Sequence, residues 1–169
     1  REIIPAVLQE ERAASEPSAS RVDGIGNMEN VRFRAIGRDK LGKVRILMDR
    51  PHIQDDRIYL RVRLHNRSAI SYDVDFFRFY IRDRKTSRRT ITQEQEMVPA
   101  FSYVWSQRVN ARSTESFVFV MDKFTLADKK ILRAEVFEKD GGRHFQLQLR
   151  DGQLSDALPL YNKPTKINN

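Results

Sequence analysis

The residues of this chain that could do acid–base or metal chemistry include two closely spaced pairs of carboxylates. The pairs are Asp73 with Asp75 and Glu94 with Glu96, and residues two apart lie on the same face of a strand. Paired carboxylates can serve general acid–base catalysis or bind a hard cation. On a strand they are far more often solvated partners of nearby arginines, and we interpret both pairs in that way.

The three histidines, His52, His65 and His144, have none of the spacings that metal sites require, and we expect them on the surface. The chain has no nucleophile-elbow serine motif, no phosphate-binding P-loop and no HExxH zinc motif. It also has no cysteine, which excludes thiol nucleophiles, zinc ribbons, iron–sulfur clusters and disulfides. The sequence therefore predicts no catalytic, cofactor-binding or metal-binding residues, and we expect a protein that is not an enzyme.

Positive charge is the most biased property of the sequence, with 31 Lys and Arg against 23 Asp and Glu and a formal net charge of +8. Such a balance is typical of domains that contact an anionic partner: nucleic acid, a lipid head group or an acidic protein face. The densest cluster, here called the basic loop, comprises Arg82, Arg84, Lys85, Arg88 and Arg89. A basic loop at a sheet rim is a candidate contact for phosphates or for an acidic surface.

A second basic set lies nearer the N-terminus, at Arg32, Arg34, Arg38, Lys40, Lys43, Arg45 and Arg50. For both sets the alternative interpretation is solubilising charge paired with scattered carboxylates. Binding of nucleic acid usually adds exposed aromatic side chains for base stacking. The aromatic residues nearest the basic loop alternate like core residues, which disfavours that function.

Three large aromatic residues, Phe101, Tyr103 and Trp105, follow one another at intervals of two. Alternation along a strand would place all three on one face. Such a face is either part of the core or a hot spot of a protein interface. Both alternatives stay open from the sequence, and the three residues form a candidate aromatic interface.

Hydrophobic periodicity of two dominates from about residue 43, which is typical of β-strands. The candidate strands are residues 43–48, 58–65, 72–82, 89–98, 116–121, 131–138 and 143–150. The last two flank Asp140-Gly141-Gly142, a hairpin signal because glycine accepts positive φ. Short strands with little helix between them predict an all-β fold, an antiparallel, immunoglobulin-like β-sandwich. The predicted core comprises Ile58, Leu60, Val62, Leu64, Phe77, Phe79, Ile81, Phe117, Phe119 and Leu147.

The sandwich domain is predicted over residues 43–160, between a connector at 1–42 and a C-terminal tail at 161–169. Within the connector, Ile3, Ile4, Val7 and Leu8 have helical spacing and predict a short helix. Residues 13–30 have the Ser, Pro and Gly content of a linker or long loop. The helix packs either on its own domain or on a neighbouring domain or subunit. No apolar run approaches the ~18 residues that cross a bilayer, so we expect no transmembrane segment.

Several segments of the chain resemble the C-terminal part of the TraN family of Bacteroidetes conjugative transposon proteins. The resemblance is carried by Leu64–Ser68 with His65 between Leu64 and Asn66, by Tyr72–Phe76 and by Arg78–Asp83. Phe117–Val120, Lys123–Thr125 and Glu138–Arg143 are similar to the family's later strands and hairpin. The resemblance covers about residues 43 to 160, and residues 1 to 42 match only vaguely.

The resemblance implies a periplasmic, outer-membrane-associated component of a type IV secretion-like conjugation apparatus. Its implied partners are other subunits of that apparatus, with a homo-oligomer of the full-length protein as a further expectation. Family members are longer, with a signal peptide and an upstream β-rich domain, and the family offers no catalytic residues. Two other functions stay open: a basic module that contacts the transferred DNA or its relaxase, and a polysaccharide-binding envelope domain.

Overall fold

The computed structural model describes residues 19–89 and 91–160, which form two packed β-sheets with one helix against the outside. The helices are α1 (Ala19–Glu29) and α2 (Asp151–Ser155). The strands are β1 (Ala35–Leu41), β2 (Val44–Asp49), β3 (His52–Gln54), β4 (Arg57–Asn66), β5 (Tyr72–Asp83), β6 (Gln95–Met97), β7 (Phe101–Val104), β8 (Arg108–Val109), β9 (Ser113–Asp122), β10 (Lys130–Glu138), β11 (Phe145–Arg150) and β12 (Leu158–Pro159). The predicted all-β sandwich is confirmed.

The larger sheet has seven strands, with β4 between β9 on one side and β2 and β3 on the other. Strand β1 continues it beyond β2, and β7 continues it beyond β9. The smaller sheet has five strands. Strand β5 pairs with β10 on one side, and β11 continues the sheet beyond β10. On its other side β5 pairs with β6 and β8. All pairs are antiparallel except β3 with β12, which are parallel.

The core lies between the two sheets, and phenylalanines from both meet at its centre. Phe77 of the smaller sheet lies 5.0 Å from Phe117 and 4.6 Å from Phe119 of the larger sheet, measured between ring centroids. Nine of the ten predicted core residues are buried, and Ile81 is half-buried and packs against the same cluster. Strict alternation therefore identified the inner face, because each large apolar side chain gains roughly 1.5–3 kcal/mol from burial.

Strand β5 departs from simple alternation because it carries a β-bulge. Phe76 pairs with Phe137, but the next pair joins Val74 to Glu138, which leaves Asp75 as the extra residue. Val74 is thereby moved to the inner face with Phe77. Uninterrupted alternation from Phe77 would have placed Val74 on the opposite face, with Phe76 and Tyr80. Strand β5 lies inside the smaller sheet, between β10 and β6.

Residues 19–29 form helix α1, although their composition had indicated a linker. The helix packs on the outer face of the larger sheet, which is the face turned away from the core, in a second apolar cluster: Ile25, Met28, Tyr59, Val118, Val120 and Leu160. Gly24 permits the close approach, since a Cβ there would collide with the Tyr59 ring. Strand β1 also precedes the predicted domain start at residue 43. The helix predicted around Ile3–Leu8 and the tail at 161–169 lie outside the described residues.

The hairpin between β10 and β11 forms as predicted, with Ile131 opposite Arg150 and Val136 opposite Phe145. Its left-handed residue is Asp140, with φ of 52°, and neither glycine of the turn has a positive φ. Gly141 is needed for space instead, because a Cβ there would collide with the Glu138 side chain. The strand predicted over 89–98 is also shorter than expected, since only Gln95–Met97 pairs with β5.

Arg61 and Asp49 form a buried ion pair that joins α1, β2 and β4. The guanidinium donates to Asp49 Oδ2 from Nε at 3.0 Å and from Nη2 at 2.6 Å. It also donates to the backbone oxygens of Met28 at 2.8 Å and Val31 at 2.9 Å. Asp49 Oδ1 accepts from the backbone N–H groups of Arg34 and Arg50. Alternation along β4 alone would place Arg61 on the polar face of the strand, away from the core.

We expect Asp49→Ala to lower the free energy of unfolding by about 3–5 kcal/mol, because it leaves the buried guanidinium without its counter-charge. Urea unfolding followed by circular dichroism measures the change. Asp122→Ala is the control, because the Arg57–Asp122 pair spans 3.8 Å and its carboxylate is exposed. Such surface pairs contribute little. Equal effects of the two substitutions would contradict the structural role of the buried pair.

Arg143 anchors the β10–β11 hairpin through an ion pair with Glu138 and a hydrogen bond to the Ser71 backbone oxygen. The hydrogen bonds from Arg143 lower the pKa of Glu138 below its ordinary value of 4.5, against the opposing effect of burial. A carboxylate with a depressed folded-state pKa stabilises the protein above its unfolded pKa. That contribution is lost as the pH falls through the folded-state pKa.

We therefore expect Glu138→Gln to destabilise the domain at neutral pH and to reduce its loss of stability as the pH falls below the ordinary carboxyl pKa of 4.5. Urea unfolding at a series of pH values gives the curve. Asp128→Asn, an exposed carboxylate without an ion pair among the described residues, is the control. If Glu138→Gln left the loss of stability at acidic pH unchanged, the Arg143–Glu138 pair would not be a source of the pH dependence.

Candidate functional site

The basic loop lies at one end of the sandwich, where β5 ends at Asp83. Its start is fixed by a backbone hydrogen bond from Arg84 N to Lys129 O of 2.7 Å, which ties it to the connection before β10. Arg84, Lys85, Arg88 and Arg89 are all exposed, whereas Arg82 is half-buried on β5. The sequence prediction that this loop lies at a sheet rim is confirmed.

The carboxylates nearest to the basic loop in the sequence are engaged elsewhere. Asp83 forms an ion pair with Lys130 at 2.9 Å, and Glu94 forms one with Arg78 at 2.8 Å. Among the described residues, Arg84, Lys85, Arg88 and Arg89 take part in no ion pair. The four charges are therefore exposed and have no neutralising neighbour within the described part of the chain, so they are available to an anionic partner.

The candidate aromatic interface lies on the outer side of the larger sheet. Phe101 and Tyr103 are half-buried and pack against the cluster beneath α1, and the Arg57 guanidinium lies 5.0 Å from the Phe101 ring. Trp105 follows the end of β7 and is 56% exposed. It lines a groove of about 320 Å³ between α1 and the sheet, beside Met28 and Val118. The structure thus divides the three residues, with two partly in a core and one open to solvent.

The basic loop and Trp105 lie toward opposite ends of the sandwich. Phe101, at the start of β7, pairs with Val120 near the end of β9, which is the end that carries the basic loop. Val104, which directly precedes Trp105, pairs with Phe117 in the first half of β9. The two candidate sites predicted from the sequence therefore form two separate surfaces.

The sequence favoured ion pairs with arginines as the role of the carboxylate pairs. Asp73 and Glu94 have this role, since each forms an ion pair with an arginine. Arg108 donates to Asp73 at 2.6 Å, and this hydrogen bond lowers the pKa of the carboxyl. Among the residues that the structure describes, no group of three or more His, Asp or Glu side chains could hold a metal ion. None of the four carboxylates singled out from the sequence therefore lies with a histidine in a metal-binding group of described residues.

The histidines have three different environments, and the surface position expected for all of them is wrong for His52. His52 is buried at the β3–β4 pairing, and desolvation lowers its pKa. His65 is half-buried, and its Nδ1 lies 2.8 Å from Thr114 Oγ1. His144 is exposed and stacks on Phe137, with 4.2 Å between ring centroids. Alternation could not reveal the Thr114 neighbour of His65, because it lies on a strand 49 residues away in sequence.

The fold and its surfaces define an all-β sandwich domain with an exposed basic loop at one end. Residues 21–159 match the sequence profile of DUF4138, a domain of unknown function, and the chain belongs to this family. No curated protein matches the chain. Within the described part of the chain, no helix is long and apolar enough to span a membrane.

We expect Trp105→Ala to change the free energy of unfolding by less than about 1 kcal/mol, because a mostly exposed side chain contributes little to the core. Phe117→Ala, which removes a fully buried ring, should cost about 3–5 kcal/mol. Urea unfolding followed by circular dichroism compares the two variants. A cost for Trp105→Ala close to that of Phe117→Ala would assign Trp105 to the core rather than to an interface.

Proposed function

We propose that this domain is a structural, non-enzymatic component of a conjugative transfer apparatus in the cell envelope. In this function it contacts an acidic face of another subunit through the basic loop. The observation that carries the proposal is the set of four exposed cations at one end of the sandwich, none of which is ion-paired with another described residue. The resemblance of residues 43–160 to TraN proteins supports the envelope location and the transfer apparatus.

A protein partner is favoured over DNA by what surrounds the basic loop. Binding of single-stranded DNA usually combines cations with exposed aromatic rings on which bases stack. Phe77, Phe79 and Tyr80, the aromatic residues of β5 nearest to the loop, are all buried. The one largely exposed tryptophan, Trp105, lies toward the other end of the domain. Charge alone is suited to steering an acidic protein surface into contact, because steering acts mainly on the association rate.

The test removes the four loop charges together, in Arg84→Gln/Lys85→Gln/Arg88→Gln/Arg89→Gln. The matched control removes three arginine charges and one lysine charge that are exposed elsewhere and form no ion pair among the described residues, in Arg32→Gln/Arg34→Gln/Arg112→Gln/Lys139→Gln. Both variants should unfold at a temperature close to that of the unaltered domain. In cells that carry the conjugative element, crosslinking should join the unaltered protein and the control variant to a subunit of the transfer apparatus. The loop variant should lose that crosslink.

Fluorescence anisotropy with labelled single- and double-stranded DNA tests the alternative function. We expect binding no tighter than non-specific levels of roughly 10⁻⁴ to 10⁻⁶ M at physiological salt. If the four loop charges instead contacted duplex phosphates, the log–log dependence of affinity on salt would have a slope of about −3.6. Sub-micromolar affinity with that slope, lost only in the loop variant, would overturn the protein-contact proposal in favour of DNA.

A further inference from the structure

A second concentration of positive charge forms a concave site at the end of the sandwich opposite the basic loop. It is a pocket of about 370 Å³, here called the basic pocket, and its lining residues are Lys40, Gly42, Lys43, Arg45, His65 and Arg67. The pocket lies where Asn66 of β4 pairs with Val44, whereas the other end of β4 pairs Arg57 with Asp122 beside the basic loop. The two basic surfaces are therefore distinct.

Strand register assembles the pocket from three strands of the larger sheet. Lys40 of β1 pairs with Arg45 of β2, and Arg45 pairs in turn with His65 of β4. These three side chains therefore form one row on the outer face. Gly42, with φ of 57°, makes the tight β1–β2 turn and leaves open space where a side chain would begin. The turn places Lys43 at the rim, and Arg67 follows the end of β4.

No carboxylate of a described residue forms an ion pair with this row. Within the described chain, none of Lys40, Lys43, Arg45 and Arg67 takes part in an ion pair. Asp39, the nearest acid in the sequence, accepts hydrogen bonds from the backbone N–H groups of Lys40 and, at the edge of the smaller sheet, Gln146. Its carboxylate is thereby engaged with β11, away from the row.

The pKa of His65 is lowered by the same positive charges. Burial is the largest cause that lowers its pKa, and the charges of Arg45, Arg63 and Arg67 lower it further. Among the residues that the structure describes, no acidic side chain contributes to this shift. Like charges directly opposite one another on a sheet destabilise it. The fold therefore retains two directly opposed cations, Lys40 and Arg45, that core packing does not require.

We propose that the basic pocket binds the phosphate groups of a small polyphosphorylated ligand. Arginine forks match phosphate oxygens in pairs, and lysine ammonium groups add compact positive charge. The pocket volume lies at the lower end of the range for small-molecule sites, which is roughly 300–1,000 Å³. Its concave shape fits a short group with closely spaced charges better than a long duplex. The proposal does not depend on the function proposed for the basic loop.

Isothermal titration calorimetry with sodium tripolyphosphate at physiological ionic strength tests the pocket. The test variant is Lys40→Gln/Lys43→Gln, and the control is Lys123→Gln/Lys139→Gln, which removes two exposed lysine charges outside both basic surfaces. We expect the unaltered domain to bind one tripolyphosphate per chain. Loss of charge-assisted hydrogen bonds should weaken binding by roughly tenfold or more in the test variant and little in the control.

The unfolding temperature without ligand separates binding from folding. Removal of repulsion should leave the melting temperature of Lys40→Gln/Lys43→Gln equal to or above that of the unaltered domain. A fall in melting temperature would show that the two lysines stabilise the fold and would overturn the proposal. Equal weakening of tripolyphosphate binding in both variants, several ions bound per chain, or no saturable binding would also overturn it.

Free oligophosphates and phosphorylated lipid head groups present the same chemistry to the pocket, and vesicles distinguish these sources. Sedimentation with phosphatidylcholine vesicles that contain phosphatidic acid, against vesicles of phosphatidylcholine alone, measures binding to a membrane-borne phosphate. Loss of that sedimentation in Lys40→Gln/Lys43→Gln assigns a lipid ligand, and binding of tripolyphosphate without sedimentation assigns a soluble one. Tighter binding to duplex DNA than to tripolyphosphate, with a steep salt dependence, would overturn the proposal and indicate an extended nucleic-acid-binding surface instead.

Discussion

Burial of the Arg61 side chain is the constraint on which the outer layer of this domain depends. A guanidinium taken out of water must have its hydrogen bonds satisfied by protein, because the desolvation penalty is otherwise too large. Asp49 supplies the charge, and the backbone oxygens of Met28 and Val31 supply the remaining acceptors. Those oxygens lie at the end of α1 and just beyond it, so the helix must end over β4. One arginine thereby determines where the helical layer meets the sheet.

The same strand divides the outer face of the larger sheet into a covered half and an open half. Tyr59 and Arg61 lie beneath α1 and are buried, whereas His65, further along β4, faces the basic pocket. Arg63 lies between them, with its guanidinium 4.3 Å from the centroid of the Phe33 ring. Contact with an aromatic face offsets part of the cost of keeping a cation close to other cations. The outward-facing side chains of β4 therefore determine both where α1 packs on the sheet and where the positive charge is exposed.

The sequence predicted the inner face of the sandwich well and the outer face poorly, for physical reasons. The inner face follows from period two, because burial of apolar area selects side chains by type alone. The bulge at Asp75 and the covering of β4 by α1 depend on partners distant in sequence. Arg61 looks like any exposed strand arginine until its acceptors from residues 28, 31 and 49 are known. Gly24 indicated a linker by composition, yet its missing side chain is what lets the helix contact Tyr59.

The two basic surfaces show the same limit for function. The basic loop is contiguous in sequence, so its charge and its position after a strand could be predicted together. The basic pocket draws its cations from the β1–β2 turn and from the end of β4, some twenty residues away in sequence, and only strand register brings them together. In the sequence these residues are scattered charge, and solubility explains them equally well. Solubility needs no particular register, however, and separate positions on the surface would avoid repulsion. The cost of keeping Lys40 and Arg45 directly opposite one another, with Arg67 nearby, is the physical reason to regard this surface as a binding site.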